Sequence, residues 1–557
     1  MLFFGMVAPI SRRVWSRRNR REVDTMTMQF RHDGLYASRR SPVMARNVVA
    51  ASQPLATQAG LRMLERGGNA VDAALAAAIA LTVVEPTGNG IGSDAYCILW
   101  DGKELHGLNA SGRSPAGWTP ERFAGRKTFP HRGWESVTVP GAVSAWVDLS
   151  ERFGKLPFAQ LFEPAISYAE NGFHVSPVIA ELWRRGAEEL KSQPGFAECF
   201  MPNGRAPVAG ELFRMPGHAY SLKAIAATKG EAFYRGELAK RIADFAREHG
   251  AALDEADLAA HRNDWCGTIS QAFGDTALHE IPPNGQGIVA LMALGIIQAV
   301  GVEGLERDSV DALHLQIEAC KLAFADVYAY AADLDYMRDV TVAHLQNPAY
   351  LASRAKLIDR SRAQDFGAGA PKTGGTVCLS TGDATGMMVS YIQSNYAGFG
   401  SGVVVPGTGI SLQNRGFGFV LDDGHPNQVG PNKRPFQTII PGFVMQGDAP
   451  LMAFGLMGGP MQAQGHLQMM LRMQLWGQDP QTAADAPRWR YVDGLKVAIE
   501  NGISDDVAAD LKSRGHVIVR EPPDSAFGFG GAQLVRRIEG GYVAGSDPRK
   551  DGQAAGF

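Results

Sequence analysis

Close to residue 375 the chain changes character, and that change restricts what it can fold into. The run SRAQDFGAGAPKTGG, ending at Gly375, is small and rich in glycine, alanine and proline, which predicts a mobile surface segment over residues 360–375. Directly after it the pattern turns to β. Thr376–Thr381 and Met387–Asn395 read as two strands joined by Gly382-Asp383-Ala384-Thr385-Gly386, a hairpin turn. Centring the turn on Ala384-Thr385 sets Thr376 opposite Gln393 and next to Ser394, within a residue or two. Two hydroxyls distant in sequence are thereby brought together.

Upstream of this boundary the pattern is mainly helical. Residues 54–66 and 70–84 read as two helices broken by Gly67-Gly68-Asn69; the first has half-exposed spacing, and the second is apolar nearly all round, hence buried. A glycine turn at 88–92 and a strand over Ala95–Trp100 follow, then helical patterns at 157–171, 179–191, 236–249, 287–300 and 308–330. Downstream of the hairpin, β pattern recurs at 403–412, 438–446 and 451–456, before a helix at 461–476 and a mixed C-terminal region. Residues 1–42 read as a disordered basic tail, with Met26 or Met28 as alternative starts. Their apolar piece precedes the arginines, the reverse of a secretory signal. A net charge of −3 gives no reason to expect nucleic acid or an anionic membrane as partner, and no apolar run reaches spanning length. Five dispersed cysteines without CxxC spacing favour a reducing compartment, so a cytoplasmic location is expected.

Common catalytic signatures are missing: there is no GxSxG, no Walker A loop and no HExxH. Gly88-Asn89-Gly90-Ile91-Gly92 follows a helix and precedes a strand, the wrong order for phosphate binding, and reads as a structural turn. Histidines are scattered, so neither a metal nor a cofactor is expected. What remains is Gly375-Thr376. A hydroxyl there can attack the preceding carbonyl, shift the acyl group from nitrogen to oxygen and release it to water, and glycine tolerates the distorted backbone this needs. The freed threonine then carries nucleophile and base on one residue, because its α-amine titrates at about 7.7–8.0.

Wider blocks add to this. VVAASQPLATQAGLRMLERGGNAVDAALAAAIALTVVEP, VPGAVSAW (139–146), PAISYAENGF (164–173), GFGSG (398–402), VGPNKRP (429–435), GLMGGPMQ (455–462) and SDPR (546–549) occur in the order and spacing of the gamma-glutamyltransferase family, which the chain resembles over nearly its whole length after residue 45. The resemblance implies an α+β fold: a four-layer α-β-β-α sandwich of the N-terminal nucleophile hydrolase type, formed by two chains after self-cleavage. It divides the chain into a large-subunit region, 43–375, and a small-subunit region, 376–557. The family nucleophile falls on Thr376, its hydrogen-bonding hydroxyl on Ser394, and the oxyanion-binding glycines on Gly458 and Gly459. It also implies a small-molecule amide substrate and a heterodimer of the two self-cleaved subunits, with a dimer of heterodimers left open.

Departures from the family concern the substrate. The arginine that holds the γ-glutamyl carboxylate falls on Ser111, with Arg113 two residues on as a replacement. The acidic residue for the γ-glutamyl amine falls on Gly418 in QNRGFGF. Arg415, beside Asn414, replaces a glutamine, Tyr396 an asparagine, and Gln437-Thr438 a serine pair. Val377-Cys378 follow the nucleophile where a hydroxyl residue and histidine are usual, and the stretch from Phe419 to Val429 is too short for the family's lid. The resulting expectation is a gamma-glutamyltransferase-like or glutathione hydrolase-like amidase. The alternatives are an acylase for a non-glutamyl, glutaryl-type amide, and an uncleaved homologue with a binding role.

Overall fold

Two seven-stranded sheets lie face to face, with helices covering both outer sides. The structure is a computed structural model that describes residues 40–367, 375–522 and 528–557; the expectations for residues 1–39 and 368–374 fall outside the described residues. In the first sheet the strands run, in spatial order, Gln553–Gly556, Val48–Ala51, Gly375–Gly382, Met388–Tyr396, Asp94–Trp100, Leu105–Ala110 and Asp264–Trp265. In the second they run Val43–Ala45, Gly541–Ser546, Ala532–Ile538, Ala449–Leu456, Pro441–Gln446, Thr276–Glu280 and Ile269–Phe273.

Strand alternation builds the layers. On Gly375–Gly382, Val377 and Leu379 join the helix-facing core, whereas Cys378 points into the seam between the sheets with Ile392, Tyr96, Phe443 and Val535. The helix Ala70–Val84 is buried at every position because it lies between the helix Pro54–Glu65 and the first sheet. Its start is fixed by Asn69, whose side chain caps it while Asp72 answers at the Asn69 N–H. On the far side, the helices Gly287–Val300, Val310–Tyr330 and Met461–Met470 cover the second sheet. This is the four-layer α-β-β-α order that the family resemblance implies.

The central hairpin pairs Val377 with Gln393, Ser380 with Ser390 and Gly382 with Met388, so its turn is centred on Thr385, a shift from the Ala384-Thr385 centre read from sequence. Between Gly375, which pairs with Tyr396, and Val377, which pairs with Gln393, the register slips: Ser394 and Asn395 bulge opposite the single residue Thr376. The helical pattern at 461–476 ends early in Met461–Met470 and closes with a π turn at Leu471–Leu475. No helix among the described residues is long and apolar enough to cross a membrane.

The SDPR block turns out to hold the fold together. Asp547 accepts from Arg488 at 2.6 Å and from the N–H of Ala532 at 2.7 Å, while Arg549 pairs with Glu500 at 2.5 Å. Burial raises the Asp547 carboxyl, but Arg488 and Arg549 outweigh it and hold the group at about 2. Asp547→Ala would strand the buried Arg488 guanidinium, and urea unfolding should show a loss of about 3–5 kcal/mol. In the wild type this contribution is present above the ordinary carboxylate pKa and is lost as pH falls toward about 2.

Candidate active site

Thr376, Ser394 and Asp94 lie on the inner face of the first sheet, at the same end. Ser394 and Asp94 are direct cross-strand partners, and such pairs share a face. Thr376 Oγ1 lies 3.1 Å from Ser394 Oγ, and Ser394 Oγ accepts the N–H of Tyr396 at 2.8 Å. Gln462 Nε2 donates to Thr376 Oγ1 at 3.3 Å, while its Oε1 accepts the N–H of Ile440 at 3.1 Å. Both side chains shown on the threonine hydroxyl, Ser394 and Gln462, are therefore oriented by backbone. Thr376 itself is 0% exposed in the uncut chain.

From the second sheet, the strand Ala449–Leu456 runs into Gly458-Gly459-Pro460 and then the helix Met461–Met470. The two glycines have φ of 116° and 59°, conformations that side chains resist. Their carbonyls are used: Gly458 accepts from the Met461 N–H, and Gly459 from the Gln462 N–H and Gln286 Nε2. Among the described residues neither glycine N–H makes a hydrogen bond, so a pair of backbone donors is left over. Behind the strand Gly375–Gly382 the glycine turn at 88–92 packs tightly against its neighbours, in keeping with its reading as a structural turn. A Cβ on Gly90 would meet Ser411 Oγ at 2.2 Å, and Asn89 Oδ1 accepts from Gln393 Nε2.

Next to this centre is a cavity of about 580 Å³. Its polar lining includes Arg415, Thr438 and Tyr396, and its apolar walls include Phe129, Phe417, Phe419, Phe436 and Tyr328. Arg415, 1% exposed, donates from Nη1 to Thr438 Oγ1 at 2.9 Å and stacks over the Tyr396 ring at 5.0 Å. Its Nε and Nη2 have no partner. Burial pulls the guanidinium down to about 10, opposed by the charge of Asp94, so it remains a cation at neutral pH. A buried cation with spare donors calls for an anion.

The other sequence candidates go elsewhere. Arg113 is not brought to the cavity: Nη1 donates to Asp333 at 3.0 Å, and the side chain lies near Asp264. Asn414 is a brace, donating to the carbonyl of His131 and accepting the Ala397 N–H. Gln437 sits behind the cavity, donating to Asp94 Oδ2 at 3.0 Å. Gly418 does line the cavity, and a Cβ there would stand 2.2 Å from the carbonyl oxygen of Phe436. The backbone itself therefore excludes an acidic side chain. Residues 419–429 form a fixed rim, pinned by Lys433 Nζ to the carbonyls of Pro426 and Gln428 and by Asn427 to that of Gly418.

Sequence reasoning missed Gln462 and Asp94. Gln462 closes the block GLMGGPMQ, and Asp94 is an acidic residue opening a strand just after a glycine turn; both signals were visible. Two groups of potential metal ligands exist among the described residues, His314–Glu318–His516 and Asp101–Glu104–His106. Neither includes a residue that touches Thr376 or lines the cavity. In the first, His314 bonds His516 and Glu318 pairs with Lys321.

Stacked sheets between helix layers, with a hydroxyl residue on a central strand of one sheet and a glycine turn with spare backbone donors on the other, are the arrangement of the N-terminal nucleophile hydrolase class. The gamma-glutamyltranspeptidase family model matches residues 56–557, and the chain belongs to that family. The "Glutathione hydrolase-like YwrD proenzyme" of Bacillus subtilis is 35% identical over 93% of this chain and 100% of its own length. The "Oxamate amidohydrolase proenzyme" of Klebsiella pneumoniae is 36% identical over 93% and 99%. Among solved structures, the cephalosporin acylase from Bacillus halodurans superposes with a TM-score of 0.90 at 46% identity, covering 95% of this chain and 99% of that one.

Because Gly418 has no room for a side chain, Gly418→Asp should not create a binding site for an α-amino group. Overpacking at the cavity floor should instead lower stability by about 1–3 kcal/mol, read by chemical denaturation, with no gain in γ-glutamyl turnover.

Proposed function

We propose that the chain is an autoprocessing amidohydrolase whose nucleophile is Thr376 and whose substrates are amides with a carboxylate on the acyl group. The reading is carried by one observation: Thr376 Oγ1, opposite a bulge and just after glycine, is held 3.1 Å from Ser394 Oγ. In processing, Thr376 Oγ attacks the Gly375 carbonyl carbon, the acyl group moves to oxygen, and water hydrolyses the ester. This leaves residues 43–375, with any tail, and 376–557 as the two subunits of a heterodimer.

The new α-amine then takes the hydroxyl proton, and Oγ attacks the substrate carbonyl. The N–H groups of Gly458 and Gly459 receive the developing oxyanion, where preorganised backbone donors act most strongly. The amine product leaves with the proton, and water releases the acyl group from Thr376. Ser394 and Gln462 keep Oγ oriented. Arg415, with Thr438, takes the acyl carboxylate on its spare Nε and Nη2.

A γ-glutamyl group fits this pocket poorly, because its ammonium finds no carboxylate at Gly418 and faces Arg415. A glutaryl-type or similar dicarboxylic monoamide presents only the anion. The names of the oxamate amidohydrolase and the cephalosporin acylase are in keeping with such chemistry. The five unpaired cysteines favour a reducing compartment, and we place the enzyme in the cytoplasm.

Denaturing electrophoresis with mass spectrometry should find a fragment beginning at Thr376 in the wild type and only full-length, inactive chain in Thr376→Ala. An active, still-cleaved Thr376→Ala protein would falsify the mechanism. Arg415→Met should lower kcat/KM for glutaryl p-nitroanilide by about ten- to hundredfold, and barely affect the uncharged pentanoyl analogue.

A further inference from the structure

We propose that Asp94 decides which charge the acyl pocket accepts, taking up a proton when an acyl carboxylate docks on Arg415. This rests on the reading of Arg415 as the carboxylate anchor. Asp94 is fully buried and does not line the cavity. A continuous chain nevertheless joins it to the guanidinium. Asp94 Oδ2 accepts from Gln437 Nε2 at 3.0 Å, Gln437 Oε1 accepts the Thr438 N–H at 3.0 Å, and Thr438 Oγ1 accepts from Arg415 Nη1 at 2.9 Å. Asp94 Oδ1 accepts the N–H groups of Gly112 and Gly141, each at 3.2 Å.

The charged and titratable groups facing Asp94 are Arg415, Arg434, Tyr96 and Tyr234. Arg434 is committed elsewhere, to Asp264 and to the carbonyls of Ser111 and Arg262. Arg415 is therefore the cation whose field Asp94 shares with the substrate. A bound acyl carboxylate puts a second negative charge beside one guanidinium in a water-poor site, and protonating Asp94 removes the conflict. The side-chain amide of Gln437 can turn its oxygen to accept that proton. Burial pushes the Asp94 carboxyl up to about 7, opposed by Arg415 and by the backbone N–H donors, so the uptake is cheap near neutrality. By linkage, the proton raises affinity for the anion as much as the anion raises affinity for the proton. An uncharged acyl group makes no such demand.

The test is the ratio of kcat/KM for glutaryl and pentanoyl p-nitroanilide on the mature wild-type enzyme across pH. The Thr376 α-amine titrates for both substrates and cancels in the ratio. We expect the ratio to exceed one and to fall by about tenfold from about pH 6 to about pH 8.5. In Asp94→Asn it should be flat. A wild-type ratio above one but independent of pH, or a limb that persists in Asp94→Asn, overturns the proposal while leaving Arg415 as anchor. A ratio never above one removes the Arg415 reading and this proposal with it. Where Asp94→Asn gives no mature enzyme, Gln437→Met decides: losing its donor to Asp94 must move the limb to higher pH, and an unmoved limb overturns the proposal.

Discussion

The contact between Thr376 Oγ1 and Ser394 Oγ depends on a hairpin locked on both sides. Gly375–Gly382 is paired with Met388–Tyr396 and with Val48–Ala51, and Met388–Tyr396 is paired in turn with Asp94–Trp100. With neighbours on each edge, neither strand can slide without turning its apolar residues out of two cores at once. Only the bulge of Ser394-Asn395 opposite Thr376 departs from the hairpin ladder, which turns the two hydroxyls together while the flanking backbone stays fixed. The glycine pair arrives from the opposite sheet, so the face-to-face packing of the sheets brings donors and hydroxyl to one seam.

Much of this was legible in the sequence because the decisive pairing is local. A hairpin with a short glycine-bounded turn sets its own register, and the Thr376–Ser394 proximity followed to within a residue. The buried helix Ala70–Val84 was equally readable, since a run apolar all round has only the interior available. The strands Ala532–Ile538 and Gly541–Ser546 were not, because their place in the sheet comes from pairing with Ala449–Leu456 and Val43–Ala45, far away in the chain. Arg113 illustrates a different failure. Alternation along a strand placed it near Ser111, but Asp333 and Asp264, both remote in sequence, compete for its charge. Gln462 and Asp94 escaped notice because the function of a glutamine or a carboxylate depends on which atoms surround it.

In the proposed reading, pocket chemistry changes sign relative to a γ-glutamyl site through two coupled features. The backbone at Gly418 passes so close to Phe436 that no carboxylate fits, and Arg415, three residues earlier on the same turn, presents a cation. Each alone would leave a charge unanswered. Together they make a site with one buried cation, one titrating carboxylate behind it and aromatic walls. The rim pinned by Lys433 is short, and in the proposed reaction that leaves the cavity less sheltered from water, in keeping with hydrolysis of the acyl intermediate.

The separation between chemistry and recognition is mechanical. The groups proposed for bond breaking are backbone N–H donors and side chains on central strands, constrained by ladders and by two cores. Those proposed for recognition sit on the turn Arg415–Gly418 and on the segment leading into Pro441–Gln446, where a substitution disturbs few ladder bonds. Gln437 and Thr438 link the two, since they hold Asp94 on the strand beside Ser394 and Arg415 on the turn. On the proposed assignments, a change in acyl charge on this scaffold passes through that link, and the geometry around Thr376 and the Gly458-Gly459 turn need not move.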